Sequence, residues 1–216
     1  MQGSFPVDLI LFGMVAAFLV LRLRSVLGKR TGFERPQAPQ PGAPGRVVDG
    51  EAQEIAPMAA RGVPEPGSPA GQALGRIRAA DPSFDPGAFI QGATGAFGMI
   101  VEAFARGDRQ TLQGLLTPDT YAGFEQAISG REQAGESQRT EIRNIAESSI
   151  EAAELRGTVA EVTVKFVSDQ VNLTMGRDGA VVAGTDAVTE LTDIWTFQRD
   201  LRSSDPTWRL TATQSA

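Results

Sequence analysis

The stretch DIWTFQRDLRSSDPTWRLTAT, Asp193–Thr213, decides the fold. Leu191, Trp195 and Phe197 alternate with polar residues, which is the period of a strand with one buried face. Ser203, Ser204, Asp205 and Pro206 turn the chain, and Trp208–Leu210 opens a second strand. Both tryptophans of the protein lie here, so much of the large aromatic area of the core belongs to this C-terminal hairpin.

Working outward, the same two-residue period recurs upstream. Thr158–Ser168 is the clearest strand: Val162, Val164 and Phe166 face one way, Glu161, Thr163 and Lys165 the other. Val171–Met175 and Ala180–Ala183 flank Arg177-Asp178-Gly179, a hairpin turn signal. Ala187–Arg199 precedes the final strand, and Glu141–Ile145 and Ser148–Leu155 read as two further strands. Before residue 135 the period is helical. Asp85 caps and Pro86 opens a helix in which Phe89, Ala93, Phe97, Ile100, Val101 and Phe104 form one apolar stripe. Gly107 ends it, and Asp108 caps a short helix through Leu116. Thr117-Pro118 starts another, with Tyr121, Phe124 and Ile128 on one face and Gly135 at its end. Helices followed by strands predict an α+β domain, with helices packed on one face of an antiparallel sheet.

The N-terminal third is different. Leu9–Leu21 carries no charge, and the apolar segment extends from Phe5 to Leu27 with Asp8, Arg22 and Arg24 as interruptions. A helix of about 20 residues crosses a bilayer. The positive cluster (Arg22, Arg24, Lys29, Arg30 and Arg35) follows the apolar run, and Met1–Asp8 holds no Lys or Arg. That order favours a retained anchor over a cleaved signal peptide or a core helix, with the C-terminal side in the cytoplasm. Arg22, Arg24, Lys29 and Arg30 are placed to touch anionic phospholipid. Gly32–Gly75 holds eight of the 13 prolines and has no aromatic residue after Phe33. It reads as an extended linker that buries too little apolar surface to fold. The expected organisation is therefore an anchor at 1–31, a linker at 32–75 and a folded domain at 76–216.

Composition narrows the chemistry. The 216 residues include no Cys and no His. Disulfides, thiolate sites, a Ser-His-Asp arrangement and most transition-metal sites are thereby excluded, and neither a cofactor nor a metal is expected. From Arg76 on, 13 basic side chains stand against 20 acidic ones, which argues against nucleic acid as a partner. Asp193 shares a strand face with Leu191, Trp195 and Phe197. A carboxylate there is either a base with a raised pKa or a structural group, paired by Arg199 or another cation or lying at the rim. The structural role is the expectation, as it is for Tyr121, the only tyrosine, on its apolar helix face. Glu147, Glu151 and Glu154 read as a solvated face, and Gly92, Gly95 and Gly98 as small residues for close helix packing.

Several stretches together resemble one family. FDPGAFIQGATGAFGMIVEAFARGDRQTLQGLL (Phe84–Leu116), TPDTYAGFEQAI (Thr117–Ile128), the turn at Asp178-Gly179, and W-T-F-x-R with D-P-x-W-x-L-x-x-T (Trp195–Thr213) are similar to bacterial, chiefly alphaproteobacterial, members of the Tim44-like domain family. That family takes its name from the mitochondrial inner-membrane translocase subunit that tethers the import motor. The resemblance implies a cone-shaped NTF2-like domain with a pocket between helices and a curved sheet. It implies association with the inner membrane and with membrane proteins or their translocation and assembly machinery, and it transfers no catalytic residue.

The resulting expectation is a non-enzymatic, membrane-tethered adaptor. Phe89, Phe97 and Phe104, with Tyr121, would build the helix side of a binding groove, and Trp195 and Phe197 the sheet side. The occupant would be a hydrophobic segment of an inner-membrane protein or translocase component, or a lipid tail. The rival readings are a small-molecule enzyme using Asp193 as base with Tyr121 as donor, and a homo-oligomeric scaffold.

Overall fold

The computed structural model describes residues 61–215. The expected membrane span, its basic side chains Arg22, Arg24, Lys29 and Arg30, and the linker as far as residue 60 lie outside the described residues. Those described form four helices followed by four strands: α1 (Pro69–Ala80), α2 (Pro86–Arg106), α3 (Arg109–Leu115), α4 (Pro118–Ala134), β1 (Ser137–Arg156), β2 (Val159–Met175), β3 (Val181–Asp200) and β4 (Arg209–Ser215). The strands make one antiparallel, curved sheet in the order β1-β2-β3-β4.

The helix boundaries follow their capping chemistry. Asp85 accepts from the Ala88 amide at 2.7 Å with Pro86 in the first turn, and Gly107 ends α2 in the left-handed region at φ +70°. Asp108 caps α3 through the Thr111 amide, and Gly135 ends α4 at φ +70°. α1 corrects the expected boundary between linker and domain at residues 75 and 76. Ser68 accepts from the Gly71 amide at 3.0 Å, Pro69 stands in the first turn, and Ala73, Leu74 and Ile77 are buried. The Pro/Gly content of the window masked a capped helix with an apolar face. The chain enters this helix along the sheet edge, where the Ile150 amide donates to the Gly62 carbonyl at 2.7 Å.

The sheet also joins segments that the sequence divides. Glu141–Ile145 and Ser148–Leu155 belong to one strand, β1, whose pairing with β2 shifts register at Ile142/Asn144, Ile145/Glu147 and Ile150/Ala152. Each irregularity inverts the alternation, which is why one strand reads as two, and each bends the sheet. Likewise Thr158–Ser168 and Val171–Met175 are both β2, and Ala180–Ala183 and Ala187–Arg199 are both β3. The turn at Arg177-Asp178-Gly179 is tied down: Arg177 donates to the carbonyls of Ala134 and Gln133 at 2.9 and 2.7 Å, closing the C-terminus of α4.

The core lies between α2 and the sheet. Cross-strand pairing sets Val162 beside Phe197 and Val164 beside Trp195 on one face. Phe97 stacks on Phe166 with centroids 4.5 Å apart and meets Trp195 edge-on at 4.7 Å. The α3–α4 junction is fastened to β4, with the Thr117 amide donating to Leu210 and the Thr120 hydroxyl to Thr211, both at 2.9 Å.

Candidate functional site: an aromatic groove along α2

α2 turns Phe89, Ile90, Ala93, Phe97, Ile100 and Ala103 toward the core. Its opposite face leaves Ala88, Gly92, Gly95 and Met99 exposed. Phe84, the end of α3 and the β3–β4 loop approach this helix and enclose a groove of about 370 Å³. Phe84, Phe89, Phe197 and Trp208 wall it, with Trp208 edge-on to Phe89 at 4.8 Å and tilted against Phe84 at 5.6 Å. Ala88, Gly92 and Ala96 line the helix side at four-residue spacing, so the helix backbone is approachable there.

Asp85 and Arg199 at its rim already have partners. Asp85 caps α2. Arg199 donates to Asp81 at 3.0 Å, and both side chains are largely buried. Hydrogen bonds from the Ser83 hydroxyl and amide, with Arg199 beside it, hold the Asp81 carboxyl below the usual carboxylate range. The Arg199 Nε is buried with no hydrogen-bond partner among the described residues, a donor on the groove wall. The arrangement suits binding an apolar surface.

Of the six residues expected to form a groove, Phe89 and Phe197 line this one. Phe97 and Trp195 are instead closed inside the core at 0% and 5% exposure. Phe104 stacks edge-on with Phe124 at 5.1 Å and carries the Arg131 guanidinium 4.5 Å above its ring. Tyr121 accepts a hydrogen bond from Gln113 at 3.1 Å, outside the groove. Phe84, Trp208, Met99 and Arg199 also line the groove and were not among the expected groove residues. The groove forms between helix, loop and sheet, and periodicity within one element cannot show it.

Asp193 also lies outside the groove, paired in the sheet with Phe166 and accepting from Ser215 at 3.1 Å. Arg199, one of the cations that could have paired it, serves Asp81. Burial pushes the Asp193 carboxyl above the ordinary aspartate value of 3.8, and the Ser215 hydrogen bond opposes that. Below 3.8 the group is neutral in folded and unfolded chains alike. As pH rises through 3.8 to the raised folded value the unfolded chain ionises first, so stability falls. Asp193→Asn is therefore expected to stabilise the protein at neutral pH, with the gain vanishing on acidification. Thermal melts against pH measure it.

The four helices on a four-stranded antiparallel sheet define an α+β domain. The Tim44-like domain model matches residues 70–215, more than half of the chain. The chain belongs to the Tim44-like domain family, whose domains are membrane-associated. Among solved structures it is similar to the intermembrane space region of the chloroplast protein ARC6, at 12% identity over 62% of this chain and 98% of that one, with a TM-score of 0.43. A conserved protein from Planctomyces limnophilus DSM 3776 matches at 18% identity over 60% of this chain and 98% of its own, with a TM-score of 0.36. An NTF2-like family protein from Streptomyces avermitilis, proposed to be a dehydratase, matches at 14% identity over 60% and 97%, also with a TM-score of 0.36. No curated protein sequence matches the chain. Among the described residues, α2 is the one helix long and apolar enough to cross a membrane by length and composition, and in this domain it is the core helix.

Proposed function

We propose that this domain is a non-catalytic adaptor at the bacterial inner membrane, and that its groove receives an apolar helix of a membrane protein during translocation or complex assembly. The observation that carries the reading is the aromatic groove along α2 with Ala88, Gly92 and Ala96 on its helix side. Small residues at that spacing let a second helix approach closely, and the aromatic rings supply rigid apolar contact. Family membership supports the tethering role. The basic side chains after the N-terminal apolar run support a cytoplasmic position and contact with anionic phospholipid. The enzyme reading is weaker, because neither Asp193 nor Tyr121 lines the groove.

The test is in-cell crosslinking of the full-length protein with a photoreactive residue at Met99, which is 49% exposed and lines the groove. The expected product is an adduct with an integral membrane protein that disappears when Gly92→Trp fills the groove. Adducts with lipid alone, with a second copy alone, or unchanged by Gly92→Trp would overturn the reading.

A further inference from the structure

Among the described residues, one edge of β3 is unpaired beyond its ladder with β4. Its ladder with β4 covers Asp193–Gln198 and ends with Ser215 opposite Asp193. On that side Val181–Thr192 pair with no strand among the described residues. Val181, Val182 and Val188 are 58%, 53% and 57% exposed. A bare edge bearing apolar side chains is a template for another strand. A bulge on β3 limits it, because Gln170 faces Thr189 whereas Asn172 already faces Thr185. What remains in regular register beside the end of β4 is Thr189–Thr192, with the exposed Val188 at its start.

Charge selects the kind of strand. Asp169 and Glu190 are direct cross-strand partners, and neither joins an ion pair among the described residues. Like charges in opposite positions weaken a sheet. Asp186 in the bulge and Asp178 in the turn add to the same negative potential. Two copies paired edge to edge would bring these carboxylates together, in a region where residues 61–215 already hold 21 acidic against 14 basic side chains. A cation on an incoming strand relieves the repulsion.

We infer that Val188–Thr192 of β3 accepts, by strand addition, an extended segment of a partner protein. That segment carries Lys or Arg on the face of Glu190 and apolar side chains on the face of Leu191. The site is separate from the groove, none of whose lining residues it uses, so it stands whether or not the groove binds a helix.

Hydrogen exchange on the full-length protein tests it, with a short synthetic peptide alternating Lys and Val and a control alternating Glu and Val. The Lys-Val peptide is expected to slow exchange at Thr189–Thr192, and the Glu-Val peptide to leave it unchanged. Glu190→Lys is expected to weaken Lys-Val binding about tenfold, by turning an attractive cross-strand pair into a repulsive one. Asp169→Asn, which keeps the side-chain shape, is expected to weaken it less. Equal binding of the two peptides, protection confined to other segments, or undiminished Lys-Val binding to Glu190→Lys would overturn the inference. Protection of Thr189–Thr192 that grows with protein concentration alone would overturn it too, because the occupant would then be a second copy.

Discussion

Phe97→Ala is expected to remove about 3–5 kcal/mol of folding stability, the usual cost of emptying a buried phenylalanine site. The ring has 0% exposure and contacts Phe166 and Trp195 from one position on α2. Helix and sheet are held on either side of it by regular hydrogen bonding, so the site cannot collapse far onto the missing ring. A domain of this size has about 5–15 kcal/mol in total, so the loss should move the denaturation midpoint by a large fraction of its value. Trp195 lies against the deleted ring, so its fluorescence reports the transition directly. Met99→Ala, two residues away and 49% exposed, should change stability by less than about 0.5 kcal/mol. This contrast separates core from groove. If Phe97 lined a binding site, as its place in the apolar stripe allows, its truncation would cost binding and little stability.

The stripe illustrates how much was legible. Caps, stops and the helix-to-strand order follow from chemistry within a few residues of each boundary, and Asp85, Gly107, Asp108 and Gly135 act as their types require. The C-terminal hairpin is legible for the same reason, since Trp195 and Phe197 alternate and β4 returns beside them. The long strands were not, because register shifts in β1 and the bulge in β3 break the alternation without ending the strand. α1 was hidden by composition, although Ser68-Pro69 carries the cap and the first-turn proline. The site was half legible. Phe89 and Phe197 belong to stripes visible in the sequence, but so do Phe97 and Trp195, and only packing decides which rings the helix covers. Trp208 belongs to the groove because the β3–β4 loop carries it over Phe84 and Phe89, a juxtaposition more than a hundred residues apart in the chain.

The three glycines of α2 give the last prediction, and their effects on stability and binding should have opposite signs. Close packing inside the domain, the expectation from sequence, does not account for them: a methyl group added at Gly92, Gly95 or Gly98 would meet no atom within 4 Å. Glycine in a helix interior costs about 0.5–1 kcal/mol relative to alanine, because the unfolded chain has more freedom to lose. The three substitutions touch nothing and so act separately. The triple change Gly92→Ala, Gly95→Ala, Gly98→Ala is therefore expected to stabilise the domain by about 1.5–3 kcal/mol. Chemical denaturation measures the gain, and a loss of stability would refute the open geometry of this helix face. The sequence thus keeps residues that the fold does not need, and Gly92 among them lines the groove. Added methyl groups there would hold a docking helix away from α2, so the Met99 crosslink to a membrane protein should fall even as the domain becomes more stable. A triple variant that is stabilised and crosslinks as well as the wild type would leave the glycines unexplained and would place the contact elsewhere on the surface.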